Sequence, residues 1–117
     1  MIIAYAHCIA HGIDMRDGLG QQRRAVRTGY WPLMRYDPVL RTAGNNPFLL
    51  DSPRPQAPLS EYTDQELRFR RLHDIDPAEA ARLAVLAQEA VDQRWQVYEE
   101  MATRGPERFP ADARPRR

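Results

Sequence analysis

Ile2 to Gly12 reads IIAYAHCIAHG, an apolar run that turns polar at His7 and carries the chain's single cysteine, Cys8, at the change. Two β-branched residues followed by small and aromatic ones, then polar residues and a glycine, predict a strand buried on both faces of a parallel sheet. Open α/β sheets bind ligands outside the carboxyl ends of their strands. Cys8 would then stand where chemistry is done, and Gly12 would let the backbone come close to whatever binds.

The rest of the chain supplies few strands. Asp14 can cap a helix that runs to Thr28 and stops at Gly29, with Gly18 and Gly20 weakening its first turns. Tyr30 to Tyr36 alternates like an extended segment, and Pro32 confines it to an edge or an interruption. Asp37-Pro38 reads as a turn, 43–46 (AGNN) as positions tolerant of positive φ, and Pro47 to Asp51 as a second extended piece, so that the two pieces form a hairpin-like excursion. Residues 52–58, SPRPQAP, read as an extended linker.

Two helices follow. The first starts at Ser60 or Thr63, where TDQE supplies a capping box and Tyr62 could staple onto Leu67, and it ends near His73. The second has Asp76 as cap, Pro77 in its first turn and Glu79 closing a box. It carries a stripe of Leu83, Leu86 or Ala87, Ala90 or Val91, Trp95, Tyr98 and Met101 before Gly105-Pro106 stops it. Leu67, Phe69 and Leu72 offer too little to cover that stripe, and its remainder is expected to dock on a neighbouring domain or subunit. The Pro- and Arg-rich stretch 105–117 reads as a disordered tail. The fold class is therefore an α/β fragment: one buried strand of a parallel sheet plus a helix, an extended hairpin excursion, and two C-terminal helices. Its segments are 1–51, a linker at 52–58, a two-helix part at 59–104, and the tail.

Composition narrows the function. The net charge of +1 gives no field to steer the chain to nucleic acid, and no apolar run is long enough for a bilayer, so neither nucleic acid nor membrane is expected as a partner and a cytoplasmic location follows by default. All 17 basic residues are arginine, which removes phosphate-loop and Schiff-base lysine chemistry. Neither a nucleophile elbow nor an HExxH pattern is present, and no catalytic residue is assigned. On the residues alone Cys8 reads first as a small buried hydrophobe and second as a ligand. His7, Cys8 and His11 invite a zinc reading as HCxxH, but His73 is the only further histidine, and adjacent residues of a strand point to opposite faces. His7 and His11 then serve as hydrogen-bonding groups near a pocket or face solvent.

Three phrases in order, AYAHCIAHGIDM (4–15), GYWPLMRYDP (29–38) and NPFLLDS (46–52), make the chain recognisable. It resembles the C-terminal part of the thiamine-diphosphate domain of single-chain pyruvate:ferredoxin (flavodoxin) oxidoreductases, from Ile2 to about Thr103. The resemblance implies oxidative decarboxylation of pyruvate with coenzyme A to acetyl-CoA and carbon dioxide, with thiamine diphosphate and Mg²⁺, and electrons leaving through 4Fe–4S clusters to ferredoxin or flavodoxin. It implies that Cys8 is the last of four thiolates on the cluster nearest the thiamine diphosphate, the other three lying outside these residues. It also implies that IAHG can aim backbone N–H groups at the cluster sulfurs. The diphosphate-and-magnesium motif, the pyruvate and coenzyme A sites and the ferredoxin-like domain are not in this sequence. The chain is thus expected to be a terminal fragment or truncated reading frame of an enzyme whose remainder is its partner, a homodimer in the parent. The rival reading is a separately expressed, non-catalytic interaction module.

Overall fold

The computed structural model describes residues 1–105. In chain order it contains α1 (Gly18–Arg27), β1 (Met34–Tyr36), α2 (Pro38–Thr42), β2 (Phe48–Leu50), α3 (Ser60–Thr63), α4 (Leu67–Ile75) and α5 (Pro77–Thr103), with short 3₁₀ turns at Ile9–His11 and Met15–Asp17. It is a mixed α/β arrangement whose sheet is a two-stranded antiparallel ribbon. The expected tail lies outside the described residues from 106 onward.

The parallel strand is the main correction. Residues 2–6 form no strand, and Ile2 and Ile3 are 94% and 70% exposed. A strand is defined by the ladder beside it, and the described residues place no strand next to this segment. Apolar character and β-branching describe what a strand accepts, but they do not create the partner.

The expected hairpin excursion is present as an antiparallel pair, Met34 opposite Leu50, Arg35 opposite Leu49 and Tyr36 opposite Phe48. Pro32 falls before β1, where its missing N–H costs no ladder bond. The connection between the strands holds a helix that the sequence reading missed. Asp37, read as a turn residue, is the N-cap of α2, its carboxylate accepting from Val39 N at 3.0 Å, with Pro38 in the first turn. Arg35 and Asp51 flank the ribbon with two 2.7 Å hydrogen bonds.

Asp14 caps the 3₁₀ turn Met15–Asp17, and the α-helix begins only at Gly18. The helix ends at Arg27 with Thr28 as its C-cap, and the chain turns away at Gly29, whose φ of 73° needs glycine. A Cβ there would also run into Pro55 and Val91.

The long helix α5 is the spine. Asp76 caps it through Glu79 N at 3.0 Å, as the sequence predicts, while the Glu79 carboxylate turns outward to Arg82 instead of closing the box. Its C-terminal half is covered: Val91 and Trp95 are buried, and Phe48 of β2 stacks on Tyr98. Polar side chains tie loops to it. Arg94 donates to the carbonyls of Gly29 and Tyr30, Asn46 to those of Met101 and Ala102, and Gln88 accepts from Leu59 N. The N-terminal half stays partly open, with Leu83 and Leu86 exposed beside an apolar groove of 800 Å³ that also reaches Leu59, Phe69 and Leu72. The core proper joins Ala25, Leu59, Tyr62 and Val91, with Tyr5, Tyr30, Trp31 and Ala87 packed around it.

Two outcomes test this packing. Trp95→Ala should lower stability by about 3–5 kcal/mol in denaturant titrations, as deletion of a buried indole does; a loss under about 1 kcal/mol would mean that Trp95 is not buried. The hydrogen bonds from Arg35 hold the Asp51 carboxyl below its ordinary value of 3.8. A depressed carboxylate stabilises the folded chain above that value and loses its contribution as pH falls through the lower folded value. An NMR titration of Asp51 should therefore show a midpoint below 3.8, moving up to it in Arg35→Gln.

Candidate functional site

Cys8 is a free, half-buried thiol at the N-cap of the Ile9–His11 turn, with extended backbone at φ −136° and ψ 134°. The turn closes on itself through His11 N to Cys8 O (3.0 Å) and Gly12 N to Ile9 O (2.9 Å). Of the amides in IAHG, those of His11 and Gly12 are thus already bonded. Only Ile9 and Ala10 lead the turn with N–H groups that a 3₁₀ turn does not satisfy itself.

Each histidine beside Cys8 goes to a different element. The His7 ring lies against the backbone of Gly18, where a Cβ would strike it. The His11 ring faces α4, its Nδ1 standing 4.0 Å from Glu66 Oε2. Both Nδ1 atoms are buried and lack a hydrogen-bond partner among the described residues. The described residues bring together no group of three or more His, Cys, Asp or Glu suited to a metal ion, so HCxxH is not assembled as a zinc site.

What holds the turn was not visible in the sequence. TDQE does not cap one helix running on to His73. The helix breaks between α3 and α4, and Glu66 sits at the break with φ −113° and ψ 123°, its side chain wholly buried. Its Oε1 accepts from Gln21 Nε2 at 3.1 Å, and its Oε2 accepts from Arg68 Nε. Gln21 Nε2 also donates to Tyr62 O, while Gln21 Oε1 accepts from Arg24 Nη1, which fixes the amide's orientation. Leu67 N, left without a helical acceptor by the break, donates to Gly12 O at 3.1 Å. Gly12 has φ 71°, and the Leu67 side chain fills the space a Cβ would need.

Tyr62, expected to staple onto Leu67, is instead fully buried, stacked on Tyr30 with ring centroids 4.1 Å apart and sharing a 2.6 Å hydrogen bond with Tyr5. Arg68 Nη2 reaches the hydroxyls of both Tyr30 and Tyr62. Burial, with the hydrogen bond to Tyr5 and the nearby Glu66 carboxylate, pushes the Tyr62 phenol far above its ordinary value. Burial also raises Tyr5, against the opposing effect of its bond to Tyr62. Burial works against the Arg68 charge, but the hydrogen bonds to Glu66 and Tyr30 outweigh it and hold the guanidinium above its usual value. A polar signal existed in the sequence, Glu66 two residues before Arg68 with Leu67 and Phe69 interleaved, but spacing alone assigns that glutamate to a cap.

A small polar cleft of 160 Å³ opens beside the turn, lined by Gly12, Asp14, Asp17, Gln21, Arg24 and Arg70 among others. Arg24 is paired there with Asp17 at 2.6 Å. No helix among the described residues is long and apolar enough to cross a membrane.

The chain is similar to enzymes of one class, oxidoreductases of pyruvate. It is 48% identical over 103 residues to the pyruvate-flavodoxin oxidoreductase of Rhodospirillum rubrum, covering 87% of this chain and 8% of that protein. It is 45% identical over 104 residues to the pyruvate-flavodoxin oxidoreductase of a Nostoc species, covering 89% of this chain and 9% of the relative. It is 39% identical over 102 residues to the pyruvate:ferredoxin oxidoreductase of Moorella thermoacetica, covering 87% of this chain and 9% of the relative. The chain thus spans less than a tenth of the length of these relatives. No protein-family model matches it.

The tyrosine network gives a testable pH dependence. A phenol raised in the folded state ionises first in the unfolded chain, so its contribution is intact below the ordinary value and lost as pH climbs above it. Of the five tyrosines, Tyr5 and Tyr62 should resist ionisation near pH 10.0 in the folded chain, and unfolding should set in above that pH. An absorbance titration in which every phenol ionises near 10.0 while the fold persists would contradict the buried pair.

Proposed function

We propose that this chain is the C-terminal segment of a pyruvate oxidoreductase whose electrons pass to flavodoxin or ferredoxin, and that Cys8 gives one thiolate to a 4Fe–4S cluster. The observation that carries this reading is the 48% identity to such an enzyme over 87% of the chain. A cubane cluster takes four thiolates. Cys8 is the only cysteine here, so the other three come from outside these residues.

The surroundings of Cys8 fit that role. The thiol is half-buried on a turn rather than packed into the core, and buried imidazole nitrogens without hydrogen-bond partners stand on both sides of it in sequence. Partial burial shields a thiolate ligand from water, and the leading amides of Ile9 and Ala10 are suited to donate toward a negatively charged group. When bound, the cluster supplies one-electron storage and transfer. The chain's own residues hold one corner and limit access of water.

Thiamine diphosphate, Mg²⁺, pyruvate and coenzyme A belong to the remainder of the parent enzyme, acting in the cytoplasm. In that frame residues 1–51 close the thiamine-diphosphate domain, and 59–104 are helices that lock it in place.

The test is Cys8→Ala in the assembled oxidoreductase, purified without oxygen. Loss of one cluster's iron and sulfide, with thiamine diphosphate content kept, is the expected result. Unchanged cluster content would remove Cys8 as a ligand.

A further inference from the structure

We propose that Glu66 is a positioning residue for the Cys8 thiolate, acting through the break it imposes between α3 and α4; the inference rests on the reading of Cys8 as a cluster ligand.

Residues 1–8 belong to no helix or strand, so nothing regular fixes where Cys8 stands. The His7 ring packs against Gly18 of α1, while the polar contacts on both flanks of Cys8 go to one place. Three residues before it, the Tyr5 hydroxyl is bonded to Tyr62 of α3. Three and four residues after it, His11 faces the Glu66 carboxylate, and Gly12 O accepts from Leu67 N. Both anchors meet at the short stretch from Tyr62 to Arg68.

Glu66 determines the shape of that stretch. If residues 60–75 formed one continuous helix, Leu67 N would bond back to the carbonyl four residues earlier, and Gly12 O would lose its donor. The extended backbone at Glu66 prevents this. That conformation aims the carboxylate inward, where Gln21 and Arg68 bind one oxygen each. Helix break, turn anchor and buried carboxylate are therefore a single arrangement. Stability alone does not call for it, because an apolar side chain of similar volume usually serves as well as a buried ion pair. What the pair adds is a defined geometry. The wholly buried glutamate is also a charged group for which the ligand reading otherwise has no use.

Glu66→Gln keeps the volume and can keep the Gln21 bond, but it turns an amide N–H₂ or a neutral oxygen toward Arg68. The experiment uses the assembled oxidoreductase, purified without oxygen, and reads iron and sulfide content, the paramagnetic resonance spectrum of the reduced clusters, and the rate at which an iron chelator strips the cluster that is lost in Cys8→Ala. Glu66→Gln should retain iron as isolated, shift the resonance lines of that cluster, and speed its stripping about tenfold, the lower end of what outer partners of metal ligands contribute. Arg68→Lys, which keeps a cation beside the carboxylate, should act in the same direction and more weakly, and it serves if Glu66→Gln does not fold.

Trp95→Ala is the control for plain loss of stability. Equal acceleration by Trp95→Ala would overturn the proposal. So would wild-type spectra and stripping rates in Glu66→Gln, or in Arg68→Lys where only that variant folds. If Cys8→Ala keeps every cluster, the ligand reading itself fails and the positioning role falls with it. If Cys8→Ala loses its cluster and Glu66→Gln behaves as wild type, only the positioning role fails.

Discussion

A carboxylate removed from water is tolerated only where charge and hydrogen bonds replace the lost solvation. Glu66 meets that condition with Gln21 from α1 and Arg68 from α4, and both must be in place together. The α3–α4 break is thereby locked in register with two parts of the chain far from it in sequence: the start of α1 and, through Leu67 and Gly12, the turn that carries Cys8. The stacked Tyr62–Tyr30 pair closes the arrangement from the apolar side, with Arg68 bridging their hydroxyls. A polar centre of this kind is directional in a way apolar packing is not, so it can specify the placement of a segment that has no secondary structure of its own.

The other half of the molecule is organised by α5. Loops carry backbone groups that no ladder satisfies, and here long polar side chains of the helix or its neighbours supply the partners. Arg94 serves the carbonyls at Gly29 and Tyr30, Gln88 serves Leu59 N, and Asn46 caps carbonyls near the end of α5 while also accepting from Phe48 N. The β-ribbon is in this way fastened to the end of α5, and the loop leaving α1 to its middle. The N-terminal half of α5 keeps Leu83 and Leu86 exposed along the groove it shares with α4.

For function, the described residues offer one thiol at a turn and bring together no group of three or more His, Cys, Asp or Glu suited to a metal ion. The relatives are about eleven times or more the length of the matched region.

Local signals in the sequence determined the ends of some elements: Asp76-Pro77 at the head of α5 and Gly29 after α1 are legible because capping and positive φ act within a few residues, whereas the extended piece read from Tyr30 through Pro32 becomes a strand only from Met34. The ribbon was legible as two extended pieces around turn residues, though not the small helix between them, since Asp-Pro opens a turn and a helix alike. Cys8 stood out as a candidate from sequence because it is the only cysteine and ends an apolar run. Its anchoring did not. TDQE satisfies a capping box by spacing, yet the Glu66 carboxylate finds better partners in Gln21 and Arg68, and that competition is decided only when residues 45 positions apart meet. The apolar run before Cys8 likewise carries strand character in its residues, while strand pairing is a property of two segments, which no single segment encodes. The sequence by itself determined where α1 stops, where α5 begins and which thiol stands apart. Tertiary structure alone decided what surrounds that thiol, because buried charges and ladders choose their partners in space rather than along the chain.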